Sequence, residues 1–207
     1  VAIIDGETLD LTMPHLAITD GGRLRVQDAT IRLTGEYSQD LVASVRGLYL
    51  EEATSRFELV GNATFEGSAV QGTGNMDSGV MTLTGDLTVA CDPGINCFQG
   101  GGTRMVFNGS SPQTITVPGS TSSTSRFHTL EVAAGADVTF ATDVYTSDDV
   151  TVKGRLTNPS GFTATAHGDL FVQGGVLVNA GTFLYNRTYS LTSGGTLESG
   201  SNVPVNY

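Results

Sequence analysis

Four aspartates, Asp137, Asp143, Asp148 and Asp149, fall within thirteen residues, with Arg126 and Arg155 on either side. Several carboxylates close together are the ligand set of a hard cation such as calcium, and a neighbouring basic group could take up a proton. Asp143, Asp148 and Asp149 are therefore the calcium candidates of this chain. The plainer reading is that Asp148 and Asp149 sit in the turn "TSDD", where aspartate side chains accept hydrogen bonds from nearby backbone. A second glycine-rich stretch, "QGTGNMDSG" (71–79), has some of the residues of a calcium-binding nonapeptide, but its glycine spacing differs and it occurs once.

Other chemistry is thinly represented. His15, His128 and His167 lie far apart and read as solvated or turn histidines. The nucleophile elbow GxSxG and the zinc helix HExxH are both missing, so no catalytic residue and no cofactor site can be named. Thr-x-Thr pairs at 82/84, 114/116 and 163/165 would make an ordered hydroxyl array only if they stacked on one face, and their spacing argues against it. Cys91 and Cys97 flank a Pro-Gly turn in "CDPGINC", which can close the ends to disulfide distance within one protruding loop. Zinc would need more ligands than this stretch supplies. A disulfide implies an oxidising, secreted setting.

The elements that must position these residues are strands. Of the 207 residues, 27 are glycine and about a fifth are Ser or Thr, a mixture suited to short strands and tight turns. No window holds a helical apolar period, whereas "SRFELVGNATFEG" alternates as a strand does. A net charge of −11 opposes nucleic-acid binding, and no apolar run is long enough to insert in a membrane. The opening "VAIIDGETLD" reads as a processed or excised segment.

From residue 130 the sequence repeats at a step of twenty. Leu130-Glu-Val, Val150-Thr-Val, Leu170-Phe-Val and Ser190-Leu-Thr form one column, and Val138, Leu156, Leu177 and Leu197 a second. Phe162, Phe183 and Val203 form a third, and Gly turns near 135, 154, 174 and 194 separate the first two. Before residue 130, strand starts near Leu9, Ile31, Phe57, Met81 and Met105 follow at intervals of 22 to 26. The surplus is assigned to the insertions "GEYSQD", "QGTGNMDSG", "CDPGINCFQGGG" and "PGSTSSTS". Such a period marks a solenoid. The expected fold is a single-stranded parallel β-helix of 20–25 residues per coil, with three short strands per coil. It forms one domain over 1–207, with irregular coils to 129 and regular ones from 130. About nine coils would make a rod roughly 43 Å long. A β-sandwich is the alternative.

The segment "FNGSSPQTITVPGS…STSRFHTLEV" (107–132), with the units after it, resembles repeat segments of large secreted bacterial surface proteins. These include adhesin-like and autotransporter-type β-helices, and the likeness spans roughly residues 80 to 200. It implies an extracellular, cell-surface scaffold, adhesin or filament subunit rather than an enzyme. End-to-end self-association or binding to host or cell-surface glycans would be its partnerships. The alternative is a carbohydrate-binding β-helix, or one that resembles polysaccharide lyases, with the acids on calcium. A lyase would need acids on neighbouring coils of one face, whereas Asp137 and Asp143 share a coil and the later coils hold no acid at the positions aligned with them.

Overall fold

A computed structural model of the chain describes residues 2–19, 22–41, 47–67, 76–91 and 97–207. Its strands all pair in parallel, one coil above the next. Strands β1 (Ala2–Asp5) and β2 (Thr8–Thr19) make the first coil, and β3 (Leu24–Gln27) and β4 (Thr30–Leu41) the second. The third coil has β5 (Leu48–Leu50), β6 (Arg56–Val60) and β7 (Ala63–Gly67). Next come β8 (Val80–Leu83) with β9 (Leu87–Cys91), and β10 (Arg104–Phe107) with β11 (Gln113–Thr116). In those two coils the remaining side is reduced to single bridges at Met76 and Gln99.

From there every coil has three strands. The sets are β12 (Thr129–Val132), β13 (Asp137–Phe140) and β14 (Val144–Thr146), then β15 (Val150–Val152), β16 (Arg155–Asn158) and β17 (Thr163–Ala166). After them come β18 (Leu170–Gln173), β19 (Val176–Asn179) and β20 (Thr182–Tyr185). The last coil holds β21 (Tyr189–Thr192), β22 (Thr196–Leu197) and β23 (Val205–Asn206). The result is a β-solenoid of about eight turns with no helix among the described residues.

One face carries nine rungs, β2, β4, β6, β8, β10, β12, β15, β18 and β21. Its first inward column is the one read from sequence: Leu9, Ile31, Phe57, Met81, Met105 and Leu130 are successive register partners. The second column also holds, with Val138, Leu156, Leu177 and Leu197 in register. All eight side chains expected inward from 130 onward are buried except Leu197, which is partly covered.

Three sequence expectations are corrected. "GEYSQD" is no insertion: it continues β4, with Tyr37 and Gln39 inward, and pairs with β7. Strand alternation carries even a glutamine inside, where its Oε1 accepts from Tyr37 Oη and the Leu48 N–H. The partner of Leu170 is Tyr189 and not Ser190, because that coil has nineteen residues. In the third column Ala164, not Phe162, pairs with Phe183, and Val203 is exposed. Of the other insertions, 71–75 and 92–96 lie outside the described residues. "PGSTSSTS" is a loop closed on itself, with Ser120 Oγ donating to the Ser125 carbonyl.

The Gly turns have two causes: Gly135, Gly174 and Gly194 adopt positive φ, whereas neighbouring glycines leave no room for a side chain. At the corner between the two long faces each coil lies on the backbone of the one before. A Cβ on Gly61 would stand 2.0 Å from the Gly35 carbonyl oxygen, and one on Gly175 would stand 2.4 Å from that of Gly154. No side chain fits there.

Cys91 and Cys97 are joined, with Cα atoms 5.8 Å apart. Cys97 is fully buried in the core, its sulfur against the Phe65 carbonyl, so this end of the bond belongs to the interior rather than to a protruding loop.

Candidate functional site

The acids singled out by sequence are divided between two corners of the coil. Asp143, ahead of β14, accepts the Thr163 N–H at 2.6 Å. Asp149, ahead of β15, accepts the Asp169 N–H at 2.7 Å, and Asp169 in turn accepts the Thr188 N–H at 2.8 Å. Each carboxylate thus ties its corner to the next coil, the turn role that aspartate favours. Asp148 faces His128 at 3.8 Å and Arg187 at 3.5 Å. Arg155 pairs with Glu198 at 2.9 Å, and Arg126 donates to the Ser122 carbonyl. Asp137, at the start of β13, is the register partner of Arg155 on the next coil, whose guanidinium is paired with Glu198. Among the described residues no three His, Cys, Asp or Glu side chains converge as a metal site.

The hydroxyl pairs at 82/84, 114/116 and 163/165 lie on three different faces. Register nonetheless builds other columns: Ser38, Thr64 and Thr88 stack outward, followed by Thr116. No spacing in the sequence reveals this, because coil length varies. Register also brings His15 Nε2 to 2.7 Å from Ser38 Oγ, beside an open hollow of about 390 Å³ lined by Glu36, Thr64 and Glu66. A His–Ser contact is the start of a nucleophile. Here the hollow is lined by two carboxylates, Glu36 and Glu66, which would repel an oxyanion rather than stabilise it.

Aromatic side chains mark the last coils. Phe183 is in the core, Phe162 and Phe171 are half-buried, and Tyr185 and Tyr189 pack side by side against the core's end. A group the sequence does not single out is Tyr145, His167 and Tyr207, whose rings follow one another at 6.4 and 6.2 Å. Tyr207 Oη lies 2.8 Å from His167 Nδ1. Partial burial first, and Tyr145 second, push the Tyr207 phenol above its ordinary range.

The largest departure from an ordinary surface is at the two ends. Six large apolar side chains are exposed among the described residues: Ile3, Val60, Leu191, Val203, Val205 and Tyr207, at 47–65%. All but Val60 belong to the first or the last coil. Ile4, Leu9, Leu11, Met13 and Leu16 of the first coil pack against the core only from one side. At this end an apolar recess of about 310 Å³ opens between Ala2, Leu16, Ile18 and Leu24. The outer edges of β2 and β21 have no strand beside them among the described residues.

Comparison with family models, with curated proteins and with solved structures finds no match to this chain.

Proposed function

We propose that this chain is an extracellular structural or adhesive rod, a surface segment or filament subunit that associates through the ends of its solenoid. The observation that carries this reading is the fold itself, nine parallel rungs stacked in register on one face to make a continuous scaffold. The buried disulfide supports an oxidising, secreted location. A surface of net charge −11 supports partners other than nucleic acid.

Sedimentation velocity and electron microscopy of the purified chain test the proposal. Rods of increasing length with concentration are expected. Monomers alone up to the highest soluble concentration would overturn it.

A second reading, glycan binding at the cell surface, is favoured by the ring series Tyr145, His167 and Tyr207 beside Thr165. Aromatic faces with hydroxyls nearby suit sugar rings. Binding to a panel of surface polysaccharides that is lost in Tyr145→Ala would support it. Cleavage is the weaker form of this reading, since Asp143 and Asp149 are engaged with backbone amides.

A further inference from the structure

The third side of the regular coils, made of β14, β17, β20 and β23, differs from the two long faces in charge. Its strands and the residue after each run VYTS, TATAH, TFLYN and VNY, without one Lys, Arg, Asp or Glu. The long faces carry Asp10, Arg32 and Glu58 in one case, and Asp137 and Arg155 in the other, among their outward residues. On the third side, strand alternation turns Tyr145, Thr165 and Leu184 outward as successive register partners. The ladder continues one residue past each strand: the N–H of His167 donates to the Thr146 carbonyl, that of Asn186 to Ala166 and that of Tyr207 to Tyr185. Ser147, His167, Asn186 and Tyr207 therefore form a second outward column beside the first.

Within this uncharged strip the three rings follow one another along the solenoid axis, at centroid spacings of 6.4 and 6.2 Å. They hold one another in place: Tyr207 Oη lies 2.8 Å from His167 Nδ1, and the Tyr145 and His167 planes are stacked at 27°. Rings fixed before a ligand arrives lose little freedom on binding. Beside them the Thr165 hydroxyl and the Asn186 side-chain amide have no hydrogen-bond partner among the described residues, so both are open to a ligand. Resting on the glycan reading above, we infer that this strip binds a neutral polysaccharide laid along the solenoid axis, its sugar rings on Tyr145, His167 and Tyr207 and its hydroxyls on Thr165 and Asn186. A sugar ring suits such a surface because its C–H face is apolar while its edge carries hydroxyls. A uronate or sulfate would lose water here with no cation to meet it. Arg187, one residue past Asn186, already faces Asp148 at 3.5 Å, and a net charge of −11 repels a polyanion.

Retardation of the intact chain in native gels containing dissolved polysaccharide tests the ligand class and the site together. The neutral probes are a mixed-linkage β-glucan, a xyloglucan and a galactomannan, and the acidic probes are polygalacturonate and alginate. Slower migration is expected with at least one neutral probe and with neither acidic one. Tyr145→Ala and His167→Ala should each weaken the affinity by about tenfold, and Thr165→Ala combined with Asn186→Ala should lower it several-fold. Tyr145→Phe, which keeps the ring, should bind nearly as the parent does, and urea unfolding checks that each variant folds. Retardation by the acidic probes that is lost in Tyr145→Ala would overturn the neutral class while leaving glycan binding at these rings standing. Neutral binding untouched by both Tyr145→Ala and His167→Ala would overturn the site. No retardation by any probe would overturn this inference and the glycan reading together.

Discussion

The interior of the first five coils and that of the last four are built from different side chains. Before residue 130 the core holds Tyr37, Phe57, Phe65, Phe98, Phe107 and Phe127, all fully buried. Tyr37, Phe65, Phe98 and Phe127 follow one another with ring centroids 5.0–5.7 Å apart, mostly edge to face. After it the same columns carry Val, Leu and Ala, with only Phe140 and Phe183 among the fully buried aromatics. In place of the rings stands an amide ladder: Asn158 Nδ2 donates to Asn179 Oδ1, and Asn179 Nδ2 to the Asn202 carbonyl, each at 2.9 Å. In the first three coils the sides are also longer. β2 and β4 run twelve residues around a corner and β6 and β7 have five each, whereas the later strands have two to four. Longer sides enclose a wider interior, and close packing then requires larger side chains. Where the ladder begins, Phe140 lies beneath Asn158 and has nothing to donate, so Asn158 Oδ1 is buried without a partner.

Mutations on the two sides of residue 130 should separate these two ways of filling a solenoid. Phe65→Ala removes a ring held between Tyr37 and Phe98 and should cost about 3–5 kcal/mol, the largest effect. Val152→Ala, in the narrow coils, should cost nearer 2 kcal/mol, from about 0.8 kcal/mol per buried methylene plus a small cavity. Urea unfolding of both variants measures the contrast, and equal losses would break it. Asn179→Ala should cost about 1–2 kcal/mol, because it removes one of the two acceptors of Asn158 Nδ2, the Thr182 carbonyl remaining. Asn158→Leu combined with Asn179→Leu should recover part of that loss if the ladder is mainly a matter of satisfying polar groups.

Joining Cys91 to Cys97 closes a short ring, so Cys91→Ala with Cys97→Ala should cost about 2 kcal/mol. Intact mass of the unreduced protein checks the bond itself. The smallest effect is one of pH. Burial pushes the Tyr37 phenol far above its ordinary value of 10.0. The unfolded chain therefore ionises first, and the stability Tyr37 contributes is complete below about pH 10 and is lost as the pH rises beyond it. Thermal unfolding between pH 8 and 11 should show this fall, and Tyr37→Phe should make it shallower.

Much of the fold was legible from residue types alone. The inward columns from Leu9 to Leu170 could be read because alternate residues of a strand share a face and each coil needs the same apolar positions filled. The column broke at Ser190, where a coil shorter by one residue shifts everything after it, and at "GEYSQD", whose polar composition hid an inward Tyr37 and Gln39. The candidate site was less legible. The acids were visible as a cluster in sequence, but a corner uses one carboxylate at a time for the amide above it, and the cluster dissolves.

By itself the sequence determined the parallel solenoid, its period, the first-rung partners and the pairing of its two cysteines, since all of these follow from local alternation, turn residues and short-range closure. Only the tertiary structure decided which side chains meet across coils. His15 beside Ser38, Tyr145 beside His167, the Asn158–Asn179 ladder and the exposure of Leu191 and Val203 at a free edge depend on register. In a solenoid register is the sum of every coil length before it, and single-residue differences in those lengths leave no local mark in the chain.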